Sequence, residues 1–266
     1  VCWEVVNEVD RLYSHYTDAG QKYLQDLAMT KSVAKRVSPS SKLLYTGISW
    51  AKTKFLPETM ALGAYDYIDY MNMHYYGEPE DMPSYLETVR KSMDDYNWEK
   101  PVWITETGCS TVSDYDKYDP KMMETELGQA QRLPRTYLLA FAYGVDKVFW
   151  YCLRSCELDN KNTEDFYGLT HNDLSPKPSF KAYKTLTTLC PSGSSRPSVT
   201  IRNGIYEASW QTAEGKQIVA LWTPKGSQKV DISVYNAKRV YNIFGDKIKK
   251  TKRIDISESI TYIISK

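Results

Sequence analysis

The chain has 266 residues, with 34 Lys+Arg against 33 Asp+Glu for a net charge of +1, 42% hydrophobic residues and 25% charged ones. That balance is ordinary for a globular protein and argues against a nucleic-acid or anionic-membrane partner held by bulk charge. No apolar run approaches the roughly 18–20 residues of a membrane span.

Five cysteines, Cys2, Cys109, Cys152, Cys156 and Cys190, form no CxxC pair and no metal-ligand cadence with the three histidines. We therefore expect no metal and no cofactor, and at most one disulfide. The chain opens on Val1-Cys2-Trp3-Glu4-Val5-Val6, an apolar run without an initiator Met or signal sequence, which reads as a chain cut upstream. The location expected from the class of protein argued below is secreted or periplasmic. Tyrosine is the outlier: 22 Tyr and 7 Trp suit stacking on a flat, wet ligand such as a sugar as well as half-buried packing.

In chain order, residues 2–6 read as a buried strand and 18–37 as a helix ended by Pro39. A strand follows at 42–48, then a short helix near 57–64 with Pro57 in its first turn. Residues 67–74 are a third strand, 83–96 an amphipathic helix and 101–105 a fourth strand. A long helix is expected over 120–143, containing Pro134, then a strand from Val145 to Cys152 and a last helix over 178–189. Such alternation implies parallel strands with crossover helices. Residues 191–197 (Pro-Ser-Gly-Ser-Ser-Arg-Pro) are a linker by composition. Short alternating strands then follow at 198–201, 205–210, 217–222, 229–234, 239–243 and 261–264, with turns at Ala213-Glu214-Gly215 and Phe244-Gly245-Asp246. The expected organisation is an α/β catalytic portion over 1–190 and a small antiparallel β-sandwich over 198–266.

Two glutamates occupy matching places. Glu8 follows the first strand in Trp3-Glu4-Val5-Val6-Asn7-Glu8, and Glu106 ends the fourth in Trp103-Ile104-Thr105-Glu106-Thr107-Gly108. Active sites of parallel barrels lie at the C-terminal strand ends, where two carboxylates can converge on one bond. Glycoside hydrolysis needs such a pair.

These segments resemble the retaining (β/α)8 glycoside hydrolases of clan A. The Asn7-Glu8 stretch resembles the motif after strand four of that group, which implies an acid/base role for Glu8. The stretch around Glu106 resembles its strand-seven motif, which implies the nucleophile. Tyr70-Met71-Asn72-Met73-His74-Tyr75-Tyr76 resembles strand six, where a His and a Tyr flank the reacting sugar, and Val148-Phe149-Trp150 resembles strand eight, whose Trp often floors that sugar. Phe166-Tyr167-Gly168-Leu169-Thr170 and Ser175-Pro176-Lys177-Pro178-Ser179-Phe180 resemble the stretch before the last helix, and the β region resembles the C-terminal sandwich of several of these families. Families 5, 30, 39, 51 and 79 are not distinguished by these motifs.

The resemblance implies the substrate-binding set Asn7, His74, Tyr76 and Trp150, with Trp50 a weaker platform. Each also has a plain structural reading: Asn7 as a strand-end cap, His74 as a satisfied core histidine, Tyr76 as loop packing, Trp150 as barrel filling. Asp114, Asp116 and Asp119 read as a solvated loop rather than a metal cluster.

If Glu8 ends strand four, the chain holds strands four to eight, a partial barrel. Either a second chain or copy then supplies the rest, or the cleft stays open. The expected activity is retaining hydrolysis of β-linked neutral plant-type saccharides such as xylan, mannan or β-glucan. The alternative is a non-catalytic carbohydrate-binding or scaffold protein.

Overall fold

The computed structural model describes residues 1–49, 54–112 and 123–265. It falls into two compact units, one of Val1–Tyr76, Asp81–Thr107 and Tyr143–Trp150, the other of Gly77–Glu80, Gly108–Ala142 and Tyr151–Lys266.

The first unit is α/β. Its strands are β1 (Cys2–Glu4), β2 (Lys42–Leu44), β3 (Met71–Tyr75), β4 (Val102–Thr107) and β5 (Val145–Trp150). β1 pairs β2, and β3, β4 and β5 pair in turn, all in parallel. Single parallel bridges, Leu44 to Tyr70 and Ile48 to Met73, carry the order from the β2 segment to the β3 segment. Every residue of β3 is buried, as expected of a strand covered on both faces. The helices of this unit are α1 (Val9–Leu12), α2 (Ala19–Val37), α3 (Phe55–Ala61) and α4 (Met82–Asp94). α2 buries Tyr23 and Leu27, one turn apart, and α4 buries Met82, Leu86, Val89 and Met93, an apolar stripe at helical spacing. Pro83 sits in the first turn of α4, where its missing N–H costs nothing.

The second unit contains α5 (Glu126–Ala142), α6 (Pro178–Leu189) and the C-terminal strands. α5 runs through Pro134 and is buried over most of its length, so packing outweighs the one backbone bond that the proline forfeits. It starts later than expected: Met123 makes an isolated parallel bridge with Ser110, and Glu124 N–H donates to the Ser110 carbonyl, which holds this stretch extended before the helix. α6 opens on Pro178 as the sequence indicates. Before it, the buried Lys177 ammonium donates to Ser155 Oγ (2.9 Å), Thr111 Oγ1 (2.9 Å) and the Phe166 carbonyl (3.2 Å), tying three loop segments together.

The C-terminal strands are β6 (Ser198–Arg202), β7 (Ile205–Gln211), β8 (Gln217–Trp222), β9 (Ser227–Asp231), β10 (Ala237–Tyr241), β11 (Arg253–Ser257) and β12 (Thr261–Ser265). They form an antiparallel sheet of order β10-β12-β8-β7-β6 and a separate antiparallel ribbon β11-β9. Val219, Leu221, Val240 and Ile263 of the sheet pack with Ile254 and Ile256 of the ribbon in one apolar core. Two details differ from the sequence reading. The strand expected over 229–234 spans 227–231, because a 3-10 turn begins at Ser233. β11 was not anticipated, although Ile254 and Ile256 alternate with exposed Arg253 and Asp255. Asn203-Gly204, both at positive φ, close the β6–β7 hairpin as a two-residue turn.

Candidate active site

The site lies within the first unit and is built on the ends of β1, β3 and β4. Val6 (φ 64) and Glu8 (φ 45) are both in the left-handed region, which is uncommon for side chains and costly for a β-branched one. This backbone reverses after β1 and sets Glu8 at the entrance to α1, with Asn7 exposed between the two strained residues.

β4 carries a bulge. Met73 pairs with Ile104 but His74 pairs with Glu106, so Thr105 is the extra residue. A regular strand would send Thr105 and Glu106 to opposite faces; the bulge re-aims them. The Thr105 N–H donates to Oδ1 of the buried Asn72, 3.2 Å away. The Thr105 hydroxyl donates to Glu4 Oε2 (3.0 Å), and Glu106 turns toward His74 and Tyr76.

His74 is fully buried at the centre. Its Nδ1 lies 3.0 Å from Glu8 Oε1 and 3.4 Å from Glu106 Oε2, and its Nε2 lies 3.8 Å from Glu4 Oε1. Facing two carboxylates, Nδ1 is the nitrogen that donates. The ring fits only because residue 47 is glycine: a Cβ there would sit 2.0 Å from His74 Nε2. The Gly47 N–H donates to Glu4 Oε1 (2.9 Å). The Tyr76 hydroxyl donates to Glu106 Oε2 (2.9 Å), and Arg11 Nη1 donates to Glu8 Oε2 (3.1 Å).

The two carboxyls titrate in opposite directions. The hydrogen bond with His74 is the largest influence on Glu8 and lowers its pKa; the charges of His74 and Arg11 add to this against burial. Burial raises the pKa of Glu106, and the charges of Glu8 and Glu4 add to this against His74 and Tyr76. One oxygen from each of Glu8 and Glu106 and a nitrogen of His74 lie within 4.8 Å of one another. By donor type and spacing these three side chains could also hold a divalent cation.

The structure thus brings together Glu8, Glu106, His74 and Tyr76. Trp150 ends β5, partly buried and in register with Thr107, next to Glu106 in the chain. Asn7 is exposed beside Glu8. Trp50 lies outside the described residues, as do Asp114, Asp116 and Asp119. Sequence reasoning missed Glu4, Asn72, Thr105 and Gly47. A glutamate inside an apolar strand was the visible signal for Glu4; the bulge that recruits Thr105 left no local signature.

Among the described residues no helix is long and apolar enough to cross a membrane. The profile of a family described as glycosyl hydrolase catalytic core matches residues 11–183, a stretch that includes His74, Tyr76, Glu106 and Trp150 and begins three residues after Glu8. No curated protein matches the chain by sequence.

Solved structures do match. A family 39 glycoside hydrolase from the gut symbiont Bacteroides cellulosilyticus WH2 aligns with a TM-score of 0.76 at 21% identity over 99% of this chain and 58% of that one. A GH39 β-xylosidase from Caulobacter crescentus aligns at 0.63 and 16% identity, over 98% and 66% of the two chains. A family 51 α-L-arabinofuranosidase from Bifidobacterium longum aligns at 0.67 and 11%, over 99% and 66%. At these identities the likeness is one of fold, and the chain spans 58% of the first relative's length. With two-thirds of its residues matched by one profile, this chain belongs to the glycosyl hydrolase catalytic core family.

Proposed function

We propose that Glu8 and Glu106 carry out retaining hydrolysis of a β-glycosidic bond. Glu106 attacks the anomeric carbon while Glu8 protonates the departing oxygen. Glu8 then takes a proton from the water that releases the sugar from Glu106. The observation that carries this reading is the carboxyl spacing. One oxygen of each group lies no more than 4.8 Å from the other, an approach that favours the about 5–5.5 Å separation of retaining pairs over the about 6.5–9.5 Å that leaves room for an attacking water. The Tyr76 hydroxyl on Glu106 orients the nucleophile's oxygen. Asn7 is assigned to the sugar 2-hydroxyl, Trp150 to the face of the ring, and His74 to holding the two carboxylates apart.

The assignment makes a demand of its own. Without saccharide, the hydrogen bond with His74 lowers the pKa of Glu8 and burial raises that of Glu106. The assigned roles ask a bound sugar to oppose these two shifts, by drawing Glu8 away from His74 toward the glycosidic oxygen.

We assign the substrate to neutral β-linked plant-type saccharides, of the xylan, mannan or β-glucan kind. The aromatic Trp150 favours a stacked neutral ring, and one structural neighbour is named a β-xylosidase and another a xylanase. The five parallel strands are read as a partial barrel catalytic portion over 1–190, joined by 191–197 to a sandwich over 198–266. Strands supplied between β5 and β1, as by a second chain or copy, would complete the barrel. Secretion or a periplasmic location fits a polymer-degrading role. The second reading is a carbohydrate-binding or scaffold protein without turnover.

The test is turnover of aryl β-glycosides, with the product anomer read by NMR and the mass of the active species by light scattering. We expect retained configuration, a loss of about 10³-fold or more in Glu106→Ala and Glu8→Ala, azide rescue of Glu8→Ala, and indifference to chelators. An inverted product, or undiminished turnover in Glu106→Ala, overturns the mechanism. Saccharide binding with no turnover favours the second reading.

A further inference from the structure

The net charge of +1 conceals two opposite halves. Residues 198–266 carry 12 Lys+Arg against 6 Asp+Glu, while residues 1–197 carry 22 against 27. The C-terminal β region is thus +6 and the rest −5, so the exclusion of a polyanionic partner drawn from overall charge does not extend to this region.

The excess is concentrated. Lys247, Lys249, Lys250, Lys252 and Arg253 fall within seven residues, all exposed, running from the segment after β10 into the first residue of β11. This run contributes to a surface hollow of about 340 Å³, lined by the exposed Lys250, Thr251 and Lys252, by Ser233 and Asn236, and by the buried Ile232 and Ala237. Lys250 does not wave free: its Nζ donates to the Ala237 carbonyl at 2.9 Å. That bond fixes the ammonium at the hollow and leaves two of its three N–H groups for a ligand, which reduces the ordering cost of binding. The nearby carboxylate, Asp231, is occupied: it accepts from Ser233 N (2.9 Å) and Ser233 Oγ (2.5 Å) and faces Lys252 at 3.8 Å. Among the described residues, no carboxylate lies within salt-bridge distance of Lys247, Lys249, Lys250 or Arg253.

We propose that this hollow and its basic rim bind an acidic glycan, a polysaccharide bearing carboxylate on successive sugars. A hollow of this size holds about one sugar ring. Its wall offers the fixed Lys250 ammonium for the carboxylate, the Asn236 amide for a sugar hydroxyl, and the Ser233 and Thr251 oxygens as acceptors, since their own hydroxyls donate to Asp231 and to the Arg253 carbonyl. The run of lysines beyond it meets neighbouring acidic residues of the polymer. A glycan, rather than another polyanion, rests on the family reading of the chain, but the binding itself does not depend on catalysis. The β region would then hold the protein on an acidic matrix while the Glu8–Glu106 site works on a neutral chain.

Affinity electrophoresis and calorimetry of the whole chain with polygalacturonate test this, with neutral xylan, duplex DNA and phosphatidylglycerol vesicles as the other arms. The expected result is retardation by polygalacturonate, weakened severalfold between low and physiological salt and at least tenfold in a Lys249→Glu/Lys250→Glu/Lys252→Glu variant. The matching Lys→Arg triple variant, folded by circular dichroism, should retain it. Turnover on aryl glycosides should be unchanged in both variants, so loss of catalysis and loss of binding are read separately. No retardation, or equal retardation of the Glu variant, overturns the site. Equal or tighter binding of DNA or vesicles overturns the glycan assignment.

Discussion

The Nδ1 of His74 lies 3.0 Å from Oε1 of Glu8, on an imidazole with no exposed surface. The same nitrogen stands 3.4 Å from Glu106, so one buried ring touches both carboxyls and treats them unequally. Glu8 gains a hydrogen bond that favours its charge, whereas Glu106 is left with burial as its main influence.

That asymmetry gives opposite stability signatures. Glu8, held below its ordinary pKa, contributes stability that is present above the unfolded value of about 4.3 and lost as pH falls through the lower folded value. Glu8→Gln should therefore melt below the wild type at neutral pH, with the gap closing in acid. Glu106, raised by burial, costs stability wherever it is ionised. Glu106→Gln keeps an acceptor for Tyr76 and removes the charge, so it should melt at or above the wild type at neutral pH, the difference again closing as pH falls. Calorimetry from pH 3 to pH 8 checks both, and the same sign for the two variants would contradict the site's electrostatics.

His74→Asn separates the roles of the two carboxyls. Removing the imidazole withdraws the main force lowering Glu8. If Glu8 is the acid, the alkaline limb of the kcat/KM profile moves up; if Glu8 is the nucleophile, the acid limb moves up instead. The expected outcome is movement of the alkaline limb, with a fall in kcat/KM of about 10²-fold or more. Movement confined to the acid limb would exchange the assignments of Glu8 and Glu106.

Gly47→Ala probes the packing that centres His74. The added Cβ would meet Nε2 at 2.0 Å, and the ring is walled in on its other side by Glu8 and Glu106. We expect a destabilisation of about 1–3 kcal/mol by denaturant unfolding, with loss of turnover exceeding what residual unfolding explains. Full activity in this variant would mean that the imidazole's position is not what sets the carboxyl geometry.

The alternation of strands and helices was legible in the sequence because β4 opens on the buried apolar run Val102-Trp103-Ile104 and α4 carries an apolar stripe at helical spacing. Glu8 and Glu106 were legible as well, since each follows an apolar strand directly. Other features required the folded chain. The bulge at Thr105 depends on pairing with both neighbouring strands, so no local pattern announced that Thr105 would bond Glu4, a residue 101 positions away. Gly47 fell inside the strand expected over 42–48, and that its lack of a side chain serves His74 shows only in the folded chain, where His74 approaches from another strand. The direction in which the pKa of each glutamate moves is likewise absent from the sequence, because it is set by what surrounds each carboxyl in space: an imidazole and a guanidinium beside Glu8, and burial over Glu106. Residue types and strand order thus determined that two carboxylates reach one end of a parallel sheet. Only tertiary packing decided in which direction the pKa of each one moves.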